Sequence, residues 1–251
     1  FRHYILPPWA TRCMDLFGTA GIRGRAEDEV TPELALHVGQ AVGKPGRNVV
    51  VARDGRVTGD TLLSALRAGL ESAGSTVSDI GMAPTPALAF ASKGRYGVQV
   101  TASHNPPEDN GIKLFKDGTE FDRTAELEVS DRIAGGTEPA AWNEWGENEK
   151  EEILGEYRDA IVTYLATRSL PTDHPVGPGT TLDSEAPLDG LDIAVDCGNG
   201  MASLGTPQVL ETLGANVVSV NATVDGFFPG RPSKPTPETL ESFRAFVADH
   251  R

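Results

Sequence analysis

The chain has 251 residues, 39% of them hydrophobic, which is enough for one large or two ordinary domains with a real core. Its 36 acidic residues against 22 basic ones give a formal net charge of −14, which argues against a nucleic-acid partner, because phosphate backbones demand a basic footprint. No apolar run approaches membrane-spanning length, and Cys13 and Cys197 are too few for a disulfide framework, so no membrane partner and a cytoplasmic location are expected.

In chain order, residues 1–13 (FRHYILPPWATRC) show no clear element, and Met14 stands directly before the first recognisable motif. They read as a non-native leader upstream of the true start, with an extra N-terminal arm as the alternative. Glycines at 18, 21 and 24 then space a loop that carries Thr19 and Arg23, and Glu27-Asp28-Glu29 reads as a solvated face beside a helix start. Residues 48–52 form a short apolar strand, followed by the loop Arg53-Asp54-Gly55-Arg56. Leu62, Leu63, Leu66 and Leu70 recur at helical spacing within 58–72 and predict a helix that ends near Gly74. A strand is expected at 76–80, then a helix with Thr85 as its N-cap and Pro86 at its first position.

The most informative stretch follows. An apolar strand at 96–101 leads into a polar loop bearing Ser103, stiffened by Asn105-Pro106-Pro107, because each proline locks its own φ and pushes the preceding residue out of the helical region. Asn110-Gly111 is expected to turn the chain back into a second short strand at 112–115, which carries Lys113. The strand–helix alternation makes the region α/β, with the serine loop at the carboxyl end of a strand, where open α/β sheets place their ligands.

Beyond it, Ile153, Tyr157, Ile161 and Leu165 predict a helix over 149–168, and the prolines, glycines and acids of 171–190 read as an exposed linker. Strands are expected at 191–195 and 216–220 around a helix at 207–213 that Gly214 ends. A last helix is expected at 237–249, capped by Thr236. A doubly wound fold returns each helix to a further strand, so the second domain reads as incomplete at its C-terminus. The domain plan is 1–13 leader, 14–145 first domain, 146–190 bridging helix and linker, and 191–251 second domain.

Residues 101–113 closely resemble the phosphoserine loop of the α-D-phosphohexomutases, whose pattern T-A/G-S-H-N-P-x-x-x-N-G-x-K is filled at every fixed position. That family comprises phosphoglucomutase, phosphomannomutase and phosphoglucosamine mutase. Residues 16–24 (LFGTAGIRG), 195–203 (VDCGNGMAS) and 225–235 (DGFFPGRPSKP) resemble three further segments of the family in the expected order. The prolines after Asn105 and the Ala-Gly-Ile-Arg-Gly string lean towards its archaeal type.

The resemblance implies two mixed-sheet α/β domains of the phosphohexomutase type. It also implies an intramolecular phosphotransferase, an isomerase that moves a phosphoryl group between C1 and C6 of a hexose phosphate through phosphoserine and a bisphosphate. Ser103 would carry the phosphoryl group and, through it, be one ligand of Mg²⁺; the carboxylate ligands would lie beyond Arg251, since no Asp-x-Asp-x-Asp string is present. Lys113 would be the general acid/base, or alternatively a purely electrostatic phosphate clamp. Arg23 would contact the phosphoryl group or the sugar, His104 would shape the loop, and Asn105 would hold its turn. Thr19 and Arg56 are second-rank candidates for phosphate binding.

A hexose phosphate partner, hexose 1,6-bisphosphate as activator, and a monomer or homodimer complete the expectation. Alternatives are an inactive truncated phosphate-binding module and a phosphoglucosamine mutase. A nucleotide-binding oxidoreductase would need a glycine fingerprint after the first strand, which Arg53-Asp54-Gly55-Arg56 is not. Only 6 of the basic residues are lysines, against 16 arginines. Low lysine with an acid excess fits a salt-adapted, halophilic protein, and a GC-rich genome is the plainer alternative.

Overall fold

The computed structural model describes residues 16–166 and 186–249. The expected leader and most of the expected linker lie outside the described residues. The chain divides into two compact units, Phe1–Glu151 and Glu152–Arg251.

The first unit is built on one mixed sheet. Its strands are β1 (Ile22–Arg25), β2 (Asn48–Arg53), β3 (Thr76–Met82), β4 (Tyr96–Val100), β5 (Asp109–Lys116), β6 (Thr119–Glu120) and β7 (Asn148–Lys150). They run in the order β1-β5-β4-β2-β3-β7, with β6 paired to β5. The pairs β4–β2, β2–β3 and β3–β7 are parallel, whereas β5 is antiparallel to β1, β4 and β6. Four helices cover the sheet: α1 (Pro32–Val42), α2 (Gly59–Ser72), α3 (Thr85–Ala91) and α4 (Arg123–Ala134).

Period-two alternation sorts the faces. Val49 and Val51 of β2, Val98 and Val100 of β4, and Ile112 and Leu114 of β5 join one buried cluster with Leu34 and Val38 of α1, Leu62, Leu66 and Leu70 of α2, and Val129 and Ile133 of α4. Each fully buried leucine contributes about 1.5–3 kcal/mol relative to exposure. Alternate positions such as Val50 and Ala52 are also buried, and α3, with Ala87 and Leu88, packs on β2 and β4.

Four local expectations are corrected. Asn110-Gly111 makes no turn: both residues lie inside β5, and the reversal is the loop upstream of it. The chain at 148–150 is a strand hydrogen-bonded to β3, so the bridging helix begins only at Leu154. In α3 the cap is Pro84, one residue before Thr85, which is itself helical. The last helix starts at Glu241; Thr236 still accepts from the Thr239 N–H at 3.3 Å, but it caps a turn that precedes the helix.

The second unit contains α5 (Leu154–Ala166), β8 (Asp192–Asp196), α6 (Thr206–Thr212), β9 (Asn216–Val220) and α7 (Glu241–Asp249). β8 and β9 form a parallel pair, in register from Asp192↔Asn216 to Asp196↔Val220. At their carboxyl ends Asp196 accepts from the Gly198 N–H at 2.9 Å, from Asn221 Nδ2 at 3.0 Å and from Arg231 Nε. Asn199, in the left-handed region at φ 53°, bonds Thr223 O through Nδ2 and the Gly230 N–H through Oδ1. The motif at 195–203 therefore ties three loops into one knot.

Candidate active site

β4 hands the chain into the loop 101–108 at its carboxyl end, and β5 carries it back beside the same strand. Ser103 is exposed, with φ at 58°, a conformation that costs a non-glycine residue about 1–2 kcal/mol and persists only where its surroundings enforce it. Its N–H donates to Thr101 Oγ1 at 3.0 Å, and its hydroxyl lies 3.3 Å from His104 Nδ1. At Asn105 the N–H donates to Ala102 O at 3.2 Å and Nδ2 to Asp109 Oδ2 at 3.0 Å.

Arg56 is placed otherwise than expected. Its side chain has no exposure, and burial presses its pKa downward against the opposing pull of Asp54. Nε donates to Asp54 Oδ2 at 3.2 Å, Nη1 to the carbonyls of Pro106 and Asp109, and Nη2 to those of Ser103 and Asn105. An arginine has five N–H donors, and these five bonds use them all. It holds the loop from beneath and does not reach for a ligand.

Two glycines make room for the cations above the sheet. A side chain at Gly111 would place Cβ 2.4 Å from Ile22 O, 2.6 Å from Thr101 O and 3.1 Å from Arg23 Cγ. At Gly21, where φ is 82°, a Cβ would lie 2.7 Å from Ile112 O and 3.0 Å from Lys113 Cγ. Arg23 pairs in register with Gly111, so Arg23 and Lys113 are diagonal neighbours on one face. The Arg23 side chain has no hydrogen-bond or ion-pair partner among the described residues, and its Nε is buried without one. Lys113 is held by Glu120 on β6, with Nζ 2.9 and 3.0 Å from the two carboxylate oxygens. Thr19 is exposed in the glycine turn, where the Gly18 N–H donates to Gly21 O at 3.0 Å.

Three residues of this site escape a reading of the sequence. Asp54, Thr101 and Glu120 each act through a partner on another element. The one available signal was the position of Arg53-Asp54-Gly55-Arg56 at the carboxyl end of a strand. Among the described residues no group of three or more His, Cys, Asp or Glu is placed to hold a metal ion. The carboxylates of Asp54 and Asp109 beside the loop are engaged within the protein, Asp54 with Thr101 and Arg56, and Asp109 with Asn105. The described residues thus contain no set of carboxylates that would complete a Mg²⁺ site around a phosphate on Ser103.

Residues 14–140 match the family model "Phosphoglucomutase/phosphomannomutase, alpha/beta/alpha domain I", and residues 180–251 match that of domain II. The chain is 41% identical over 244 residues to a phosphoglucomutase/phosphomannomutase of Thermococcus kodakarensis, covering 92% of this chain and 50% of that protein. It is 42% identical over 233 residues to a phosphopentomutase of the same organism (90% and 47% covered), and 41% over 238 residues to a probable phosphoglucosamine mutase of Methanopyrus kandleri (92% and 48%). Among solved structures, a Burkholderia thailandensis phosphoglucomutase/phosphomannomutase family protein superposes with a TM-score of 0.76 at 30% identity, covering 92% of this chain and 49% of that one. The chain spans about half the length of the curated relatives it matches. With both domain models matched in order, and the serine loop lying within the first of them, the chain belongs to the phosphoglucomutase/phosphomannomutase family, of which it carries domains I and II.

Proposed function

We propose that this chain is the phosphoserine-bearing part of a phosphohexomutase that interconverts the 1- and 6-phosphates of a hexose through a bisphosphate. The observation that carries this reading is Ser103, exposed and held at φ 58° on a loop whose carbonyls turn inward to Arg56, on a sheet that also carries the unpartnered Arg23.

In the forward half-reaction the P–Oγ bond of phosphoserine breaks and a bond forms from phosphorus to a sugar hydroxyl oxygen. Net, one proton passes from that hydroxyl to Ser103 Oγ, and Lys113 Nζ is the group on which it travels. The return half-reaction reverses each transfer at the other end of the sugar. The Arg23 guanidinium offsets the charge of two phosphates brought together. Mg²⁺ and hexose 1,6-bisphosphate are the family's expected cofactor and activator, and the described residues do not by themselves complete a site for the metal.

The relatives named for glucose or mannose, pentose and glucosamine phosphates match almost equally well, so the sugar is not chosen by this half of the relatives' length. The test is transfer of labelled phosphate from hexose 1,6-bisphosphate to the protein in the presence of Mg²⁺. Ser103→Ala should abolish uptake, and Lys113→Ala should slow it by roughly two to four powers of ten. Near-normal labelling of Ser103→Ala would refute the mechanism.

A further inference from the structure

We propose that Arg56, Asp54 and Thr101 form a positioning device that fixes the main chain of Ser103 for phosphoryl transfer. This role rests on the reading of Ser103 as the phosphoryl carrier.

Ser103 is pinned on both sides. Its N–H goes to Thr101 Oγ1 at 3.0 Å, and its C=O accepts from Arg56 Nη2 at 3.1 Å. The two anchors are joined to each other, because Asp54 Oδ2 accepts from Thr101 Oγ1 at 2.6 Å and from Arg56 Nε at 3.2 Å. Asp54 Oδ1 accepts from the Arg56 N–H at 3.0 Å, and the Asp54 N–H donates to Val100 O at 3.0 Å, so the device is built into the ends of β2 and β4. The circuit from the Ser103 N–H back to its carbonyl is closed by four hydrogen bonds.

The prolines explain why an arginine is needed. The carbonyls of Asn105 and Pro106 belong to peptide units whose nitrogens are those of Pro106 and Pro107. Such units carry an acceptor and no N–H, so the loop has more inward-facing acceptors than donors of its own. Arg56 supplies donors to both of them and to Ser103 and Asp109 as well. A lysine in its place has three donors on a point charge and cannot reproduce a planar fork reaching four separate carbonyls. Released from this frame, Ser103 at φ 58° would relax towards the common backbone regions and carry its Oγ away from the transfer line. A displacement of about 1 Å at a reacting centre costs on the order of 100-fold in rate.

The experiment measures phosphorylation of Ser103 by hexose 1,6-bisphosphate with Mg²⁺, together with amide hydrogen exchange at Ser103 and the melting temperature. Arg56→Lys and Thr101→Val should each lower the maximal rate, by about 100-fold for Arg56→Lys, while the half-saturating bisphosphate concentration changes by less than about threefold. In Thr101→Val the Ser103 amide should exchange faster than in the parent chain. Free guanidinium should restore Arg56→Ala by at least about tenfold, which general destabilisation would not allow. If Arg56→Lys does not fold, Thr101→Val decides. Parent-level maximal rates in folded variants overturn this role alone. Phosphate taken up by the parent chain at a residue other than Ser103 overturns the phosphoserine reading, and this role with it.

Discussion

Replacing Gly111 by alanine probes how tightly the site is built into the sheet. The added Cβ would lie 2.4 Å from Ile22 O and 2.6 Å from Thr101 O, against the roughly 3.3 Å at which carbon and carbonyl oxygen normally meet. The shortfall is about 0.7–0.9 Å on each side. Both oxygens belong to the main chain of segments that flank β5, so neither can yield without disturbing hydrogen bonds: Thr101 is bonded to Gly111 itself, and Ile22 pairs with Ile112. Overpacking of this kind costs about 1–3 kcal/mol, and contact on two sides puts it at the upper end. Removing a strand glycine returns roughly 0.5–1 kcal/mol of chain entropy, which leaves a net loss of about 2 kcal/mol. For a unit of this size that is a fall of roughly 4–8 °C in melting temperature. Because the methyl also meets Arg23 Cγ and the foot of the Ser103 loop, phosphate uptake should fall by at least about tenfold at temperatures where the variant is folded. Calorimetry and phosphoprotein assay of the same preparation give both numbers. A melting temperature within a degree of the parent, with normal uptake, would refute the packing account.

Two predictions concern stability as a whole. With net charge −14, melting temperature should rise as KCl goes from about 0.1 M to above 1 M, because salt screens self-repulsion; a flat or falling trend would argue against salt adaptation. The Asp196 side chain is only 4% exposed, and this desolvation by itself raises its pKa, yet hydrogen bonds from Arg231, Asn221 and the Gly198 N–H, with the charge of Arg231, hold it below the usual carboxylate value. Its contribution is therefore complete above the unfolded carboxylate range, near pH 4, and is lost as pH falls through the lower folded value. Arg231→Met should raise the acid-unfolding midpoint of the second unit, and an unchanged midpoint would show that the pair does not govern acid stability.

The α/β character and the place of the Ser103 loop were legible because each rests on local pattern. Helical leucine spacing in α2, apolar strands at β2 and β4, and a serine followed by two prolines are all signals within a few residues. Arg56 was legible only as a charged residue in a loop, so a ligand contact was the natural expectation. Its true partners lie 47 to 53 positions downstream and become visible only when β2 and β4 stand side by side. Asn110-Gly111 misled for a related reason: that dipeptide favours a turn, but this glycine is there for the close approach of Arg23 and Thr101. The segment at 148–150 is polar, with little strand propensity, and joins the sheet through its main-chain pairing with β3. The Lys113–Glu120 pair depends on the hairpin between β5 and β6, which no periodicity announced.

The central claim, that Ser103 is the residue on which the phosphoryl group travels, is tested most directly by locating phosphate on the protein. After incubation with hexose 1,6-bisphosphate and Mg²⁺, peptide fragmentation by mass spectrometry should place one phosphate on Ser103, and none on Thr101 or elsewhere. Phosphate on another residue, with Ser103 left unmodified, would contradict it.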